Sequence, residues 1–410
     1  MSQFREGDLG RTTLVRVGLF VALACILGAT LAPVGTEFQP DFVSCIICGG
    51  RGSADAVANL LLYAPLGAAL FWNGRVGLRA VGMAFLLSAC IELAQTFIPG
   101  RDPSLGDVTF NTLGAGAGQI AAFLARRWLV PGDSSAARAS LAAAALATAV
   151  LALTGVLLAP VFPSAALSIW YAPALPDMPW YHARVLAARL AGQAIRPGVL
   201  PPQASQVLRS GEPLLVTAVA GPRVPALAPL IVLEDDHVSQ IYLVGPDRDD
   251  LVVRYQTRAA TWGLDQPDIR LRSALAGHTA GDTLRIGVQR RHDAWCLALN
   301  QLERCGLGYT AGDAWALVMY PRHWPPWSHT LLGAMWVGGL ALPIGLWTRR
   351  RFASVVAVAL FGGALALLPP LVALRGTPAV QWCGAALGLG AGLALQALLR
   401  RRARLSATGS

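Results

Sequence analysis

Three short runs set carboxylates and amides at helical spacing within the first 120 residues. Asp55, Asn59 and Tyr63 recur at i, i+4 and i+8, Glu92 and Gln95 at i, i+3, and Asp107 and Asn111 at i, i+4. In helices each set shares one face. Paired carboxylates can serve as acid and base, so Glu92 and Asp107 are the candidate catalytic pair. Asp55, Asn59, Tyr63, Gln95 and Asn111 would complete a polar cluster or ligand site around them. Arg101, in the turn Pro99-Gly100-Arg101-Asp102-Pro103-Ser104, could pair with a carboxylate or with an anionic ligand group. Structural readings compete with these. Amides in membrane helices often just bond to a neighbouring helix, for about 0.6 kcal/mol each. Asp55 and Asp107 could be helix N-caps. Glu92 lies inside an apolar run where no cap is needed, which favours a cluster or functional role.

The cysteines carry less chemistry. Cys45-Ile46-Ile47-Cys48 has the spacing of a redox pair or half a zinc site. With no second pair or histidine nearby, a loop-fixing disulfide between Cys45 and Cys48 is the better reading. In Trp295-Cys296-Leu297-Ala298-Leu299-Asn300-Gln301-Leu302-Glu303-Arg304-Cys305 the cysteines are symmetric about Asn300-Gln301. A two-residue hairpin loop there opposes Cys296 to Cys305 as a non-hydrogen-bonded pair, close enough for a disulfide. The alternative is two reduced thiols on paired strands. Cys25, Cys90 and Cys383 fall in apolar runs and read as packing residues. Glu234-Asp235-Asp236 and Asp247, Asp249 and Asp250 could supply calcium oxygens, but solvated turns are the expectation. The chain has no nucleotide loop, no G-x-S-x-G elbow and no H-E-x-x-H pair. No metal and no cofactor is expected.

The elements that must hold these residues are membrane helices. Of 410 residues 54% are hydrophobic and 14% charged, with the apolar residues in long runs. A hydrocarbon core of about 30 Å takes about 20 apolar residues in a helix. Eight runs qualify: 14–31, 57–72, 78–98, 108–129, 141–158, 330–347, 352–374 and 378–399. The first could be a signal peptide, but it is long for one and more spans follow, so it reads as an anchor. The chain has no lysine, and its net charge of +10 comes from arginines clustered beside the runs. That is the pattern of membrane orientation rather than of nucleic-acid binding. With the N-terminus inside, Arg75, Arg79, Arg126, Arg127, Arg138, Arg349, Arg350 and Arg351 and the C-terminal arginines all fall on the cytoplasmic side. Arg51, Arg101 and Arg375 stand singly on the other. Both termini are then cytoplasmic, and the segment between the fifth and sixth runs is exported.

That segment reads as β. Short runs at 214–219, 229–233, 240–244, 250–257, 283–289, 295–299 and 315–320 are separated by Gly, Pro and Asp, as in a sandwich or jelly roll. Residues 181–194 are the one helix-like stretch. His323, Trp324 and Trp327, at the return to the membrane, read as an interfacial aromatic belt.

The strings Asp55 to Gly67, Glu92-x-x-Gln95-x-x-Ile98-Pro99-Gly100-Arg101 and Ser104-x-x-Asp107-x-x-x-Asn111-x-x-Gly114-x-x-x-Gly118 resemble the VanZ-like family over about residues 14–130. The resemblance implies a cell-envelope membrane protein, by its namesake linked to resistance to a teicoplanin-like glycopeptide, and implies no defined reaction. The exported segment resembles laminin-G or concanavalin-A-like jelly rolls, chiefly in residues 250–257 and the 295–305 hairpin.

The expected architecture is therefore an α-helical polytopic membrane protein of about eight transmembrane helices with an extracytoplasmic all-β jelly-roll-like domain. Residues 1–165 form a five-helix VanZ-like domain, 166–327 the β domain and 328–410 three further helices. The expected setting is a bacterial cytoplasmic membrane. The expected partners are membrane lipids and an envelope glycan or lipid-linked precursor, not nucleic acid. A cluster open to the exterior and an exported ligand-binding domain favour a binding role. An intramembrane enzyme acting on a lipid-linked glycan or peptidoglycan precursor is the alternative. Transport ranks last, because the inner halves of the spans are almost wholly apolar.

Overall fold

The computed structural model describes residues 3–33, 44–47, 49–163, 166–176, 178–236, 239–291, 294–322, 324–372 and 374–408. They form two compact units, one of residues 1–135, 262–265 and 396–410, the other of residues 136–261 and 266–395.

The first unit contains α1 (Gln3–Leu31), α2 (Gly52–Trp72), α3 (Leu78–Gln95) and α4 (Leu105–Leu129). Its core joins Ile26 of α1, Tyr63, Leu66 and Leu70 of α2, Ala84 and Ile91 of α3 and Ala115 of α4. α2 and α4 lie backbone against backbone. A β-carbon added at Gly114 or Gly118 would run into the carbonyl oxygen of Leu60 or Ala64, and one at Gly67 into that of Ala115. The Gly-x-x-x-Gly spacing is what permits this approach.

The second unit opens with α5 (Asp133–Leu158) and continues into two antiparallel sheets, β1 (Ser168–Tyr171) through β12 (Leu302–Leu307). One sheet runs β4 (Gly198–Val199), β1, β6 (Ile231–Glu234), β7 (Gln240–Asp247), β8 (Asp250–Tyr255), β9 (Ile269–Leu271). The other runs β12, β11 (Ala294–Leu299), β10 (Thr283–Arg291), β5 (Leu214–Val219), β2 (Arg184–Leu190), β3 (Gln193–Ile195).

Alternation places Leu214, Val216 and Ala218 of β5 and Leu284, Ile286 and Val288 of β10 on one face, and they share a core with Ile169, Ile231, Leu233 and Val244 of the first sheet. The arrangement is compatible with a β-sandwich. The first sheet is buried on its other face too, where Val232, Leu243 and Val252 pack with Leu227 under Leu175 and Met178. Two short helices, α6 (Ala204–Ser210) and α7 (Arg258–Thr261), sit in the connections, and a 3₁₀ helix spans Ala311–Leu317. The unit then takes in α8 (Pro326–Leu346), α9 (Arg351–Leu371) and most of α10 (Ala379–Thr408).

Among the described residues long helices thus occupy the eight apolar runs, and six of them are long and apolar enough to cross a membrane. The apolar part of α1 is shorter, Val15–Leu31. α4 is not among the six; Asp107, Asn111 and Gln119 and its glycines interrupt its apolar residues.

Two local expectations are corrected. Residues 181–194 are not helical but pair as β2 and β3, turning at Ala191-Gly192, both at positive φ (49° and 79°). That geometry suits a two-residue hairpin turn, and it overrides the helix propensity of the alanines. Residues 315–320 are not a strand. The chain there enters the 3₁₀ helix through a reciprocal cap between Thr310 and Asp313.

From Leu297 to Leu299 the 295–305 hairpin folds in the expected register, Leu299 opposite Leu302; the pairing shifts by one residue between Leu297 and Trp295, and Cys296 and Cys305 form a disulfide with Cα atoms 3.9 Å apart. Cys45 is also disulfide-bonded. Its expected partner Cys48 lies outside the described residues, as does His323. Cys25, Cys90 and Cys383, expected as packing residues, are instead exposed thiols on helix surfaces. A helix in lipid presents apolar groups outward, and a thiol suits that surface.

Candidate functional site

The polar residues of α2, α3 and α4 meet around the start of α4. Ser104 is extended (φ −137°, ψ 151°), and its Oγ accepts from the Asp107 N–H at 3.1 Å, so Ser104 is the N-cap and Asp107 lies in the first turn. The Ser104 N–H donates to Glu92 Oε2 at 2.9 Å. Ser104 therefore holds the Glu92 carboxylate and caps the turn that carries Asp107. Asp107 Oδ1 accepts from Asn59 Nδ2 at 2.5 Å, which ties α2 to α4. Below this pair, Asn111 Nδ2 donates to Ser88 Oγ at 2.9 Å, linking α4 to α3. The Tyr63 hydroxyl is fully buried beside Ser88 with no partner of normal hydrogen-bond geometry, and Asn111 Oδ1 is also unpartnered.

Access separates the two carboxyls. Glu92 is 3% exposed and Asp107 half-buried, within electrostatic reach of each other and of Arg101. Asp107 is the more accessible of the two, while Glu92 is covered beside the turn it anchors.

The remaining candidates sit elsewhere. Asp55 is exposed in the first turn of α2, whose N-cap position is Arg51, so neither aspartate is an N-cap. Within the same unit Arg51 pairs with Asp265 at 3.1 Å and the Ala54 N–H donates to the Gly263 carbonyl. Arg101 makes no ion pair among the described residues. Its guanidinium donates to the Ala29 and Ala32 carbonyls at 2.6 and 3.0 Å. Gln95 donates to the Thr30 carbonyl at 2.8 Å. Both close the C-terminal end of α1, whose last carbonyls have no intrahelical donor. The expected Arg101–carboxylate contact is thus replaced by a helix cap, a role that spacing along the chain could not reveal.

A second polar centre, in the sandwich, escaped the sequence reading as a site. Arg270 is 8% exposed and bonds to Asp247 at 2.6 Å, Asp268 at 3.0 Å and Asp250 at 3.3 Å. Arg254 adds 2.7 Å to Asp268, and Arg272 adds 3.0 Å to Asp250. Burial works against the charge of Arg270, but Asp268 and Asp247 outweigh it and hold its pKa above the ordinary value. Burial likewise would raise Asp268, yet Arg254, Arg322 and Arg270 prevail and hold it below 3.8.

Asp247 and Asp250 are therefore paired with arginine rather than solvated in a turn. Strand alternation was the available signal: it puts Asp247 on the face of Leu243 and Asp250 on that of Val252, the covered side of this sheet away from the shared sandwich core, where β9 brings Arg270. Asp249, by contrast, is half-exposed. Among the described residues the one grouping of possible metal ligands is Cys296, Glu303 and Cys305, whose two sulfurs are bonded to each other.

Comparison with known proteins matches residues 19–126 to the VanZ/LLP1 family model, a segment that contains α2, α3 and most of α4 with every polar residue of their junction from Asp55 to Asn111. No curated protein and no solved structure matches the chain. A VanZ-like helical segment with several apolar helices makes this a membrane protein set in lipid, and fits a bacterial inner membrane.

Proposed function

We propose that the chain is an envelope protein whose VanZ-like helices present a polar cluster to the outer leaflet, and whose β domain, exported on the same side, binds a saccharide or another envelope component. The observation that carries the reading is the Asn59–Asp107–Ser104–Glu92 chain of hydrogen bonds, which gathers three helices around a half-buried carboxylate. Polar groups are costly in a membrane and usually line a cavity or pathway. The arginine distribution supports the orientation.

The test is a deletion strain complemented with Glu92→Gln or Asp107→Asn, matched for expression. We expect the Asp107→Asn strain to lose most of the envelope or teicoplanin-type phenotype. Full retention by both variants would remove the cluster from the function. Ligand binding by the domain is read by applying the full-length protein in detergent to a glycan panel.

The gathering of two carboxyl residues about Ser104, Glu92 on its N–H and Asp107 in the turn it caps, also supports an enzymatic reading, with Asp107 and Glu92 as acid and base on a lipid-linked glycan or peptidoglycan precursor. Incubation with such precursors followed by mass spectrometry decides it, and an unchanged precursor rules the reaction out.

A further inference from the structure

Beside the buried Arg270 network, the second unit holds a cavity of about 310 Å³, room for about ten waters at roughly 30 Å³ each. Its wall combines β9 and the end of β12 with the 3₁₀ helix, the first turn of α8 through Pro326 and His329, and Arg375 from the connection between α9 and α10. Two of these contributions come from ends of helices long and apolar enough to cross a membrane. Trp324 and Trp327, 47% and 67% exposed, flank the start of α8 as an interfacial belt does. A helix start beside exposed tryptophans is what the headgroup level of a bilayer presents.

The cavity's chemistry is a surplus of donors. The carboxylates in the wall are already engaged: Asp268 by Arg254 and Arg270, and Asp313 through Oδ2 by the N–H and hydroxyl of Thr310 at 2.7 and 2.9 Å. The donors are not. Arg375 makes no ion pair among the described residues, and Arg272 spends one nitrogen on Asp250 and is a third exposed. Arg270 Nε and Trp315 Nε1 are buried without partners among the described residues. Unmatched donors beside unspent guanidinium groups call for an oxyanion, and guanidinium suits phosphate best.

We propose that this cavity binds the phosphate of an anionic glycerolipid headgroup, held between Arg272 and Arg375. The proposal deepens the ligand-binding half of the function above and rests on it. It has a separate readout, however: a silent glycan panel with intact lipid binding would count against the saccharide alone.

The experiment is calorimetric titration of the full-length protein in a neutral detergent. The probes are dihexanoyl phosphatidylglycerol, inorganic phosphate, and dihexanoylglycerol, which lacks the phosphate. The phosphatidylglycerol should bind, inorganic phosphate should compete weakly, and dihexanoylglycerol should not bind. Arg272→Gln/Arg375→Gln should weaken phosphatidylglycerol at least ten-fold. The single Arg375→Gln variant, at a residue with no ion pair to lose among the described residues, should weaken it several-fold with a thermal midpoint close to that of the wild type. Inorganic phosphate binding as tightly as the lipid would overturn the headgroup assignment. Absent lipid binding, equal binding of dihexanoylglycerol, or undiminished affinity in both variants would overturn the site.

Discussion

Glu92 and Asp268 show what burial does to a carboxylate in two settings. Glu92 accepts one backbone N–H and thereby anchors the turn that ends in the α4 cap. Removing the acceptor strands that donor, so Glu92→Ala should cost about 1–3 kcal/mol. Glu92→Gln keeps a carbonyl oxygen there and should cost much less. Thermal unfolding of the two purified variants checks the difference.

Asp268 answers to three arginines. Its folded pKa is depressed, so its contribution is complete above the unfolded value near 3.8 and is lost as pH falls through the lower folded value. The wild-type midpoint should therefore drop on acidification below about pH 4. Asp268→Asn should lose about 3–5 kcal/mol at neutral pH, as one partner of a buried ion pair is removed, and should show a shallower acid decline. An equally steep decline in the variant would take Asp268 out of the acid response.

At the scale of elements, the α2–α4 contact and the β11–β12 hairpin carry the sharpest expectations. Gly118 meets the Ala64 carbonyl, whereas Gly116 on the same helix has open space. Gly118→Ala should destabilise by about 1–3 kcal/mol through overpacking, and Gly116→Ala should be neutral or slightly stabilising. If detergent-stability assays rank the two the other way, the helices do not pack through that face. The Cys296–Cys305 bond closes a loop of sequence separation 9. Loop-closure entropy puts its worth at about 2–3 kcal/mol, so Cys296→Ser/Cys305→Ser should unfold earlier by that amount in denaturant. Adding reductant to the wild type should reproduce much of the loss.

At the scale of the whole molecule, charge sets sidedness. The clustered arginines predict both termini in the cytoplasm and the β domain outside. Single cysteines at Ser2 and at Ser239, in a background stripped of the native thiols, report this with an impermeant maleimide. Ser239 should label in intact cells and Ser2 only after permeabilisation. The reverse pattern would place the sandwich inside and remove the outer-leaflet reading of the cluster with it.

Apolar runs of membrane-spanning length, the strands β5 to β8, β10 and β11, and the cysteine hairpin were legible from sequence. Each depends on spacing along one element, and periodicity records spacing directly. The 181–194 hairpin misled because alanine favours helix, while two residues at positive φ and a neighbouring strand decide the pairing. What no local pattern encodes is which partner a polar side chain finds across the fold. Arg101 turned from carboxylates to the end of α1, Ser104 rather than Asp107 became the cap, and Asp247 went inward to Arg270. Residues far apart in sequence compete for the same few donors and acceptors, and only their packing settles that competition.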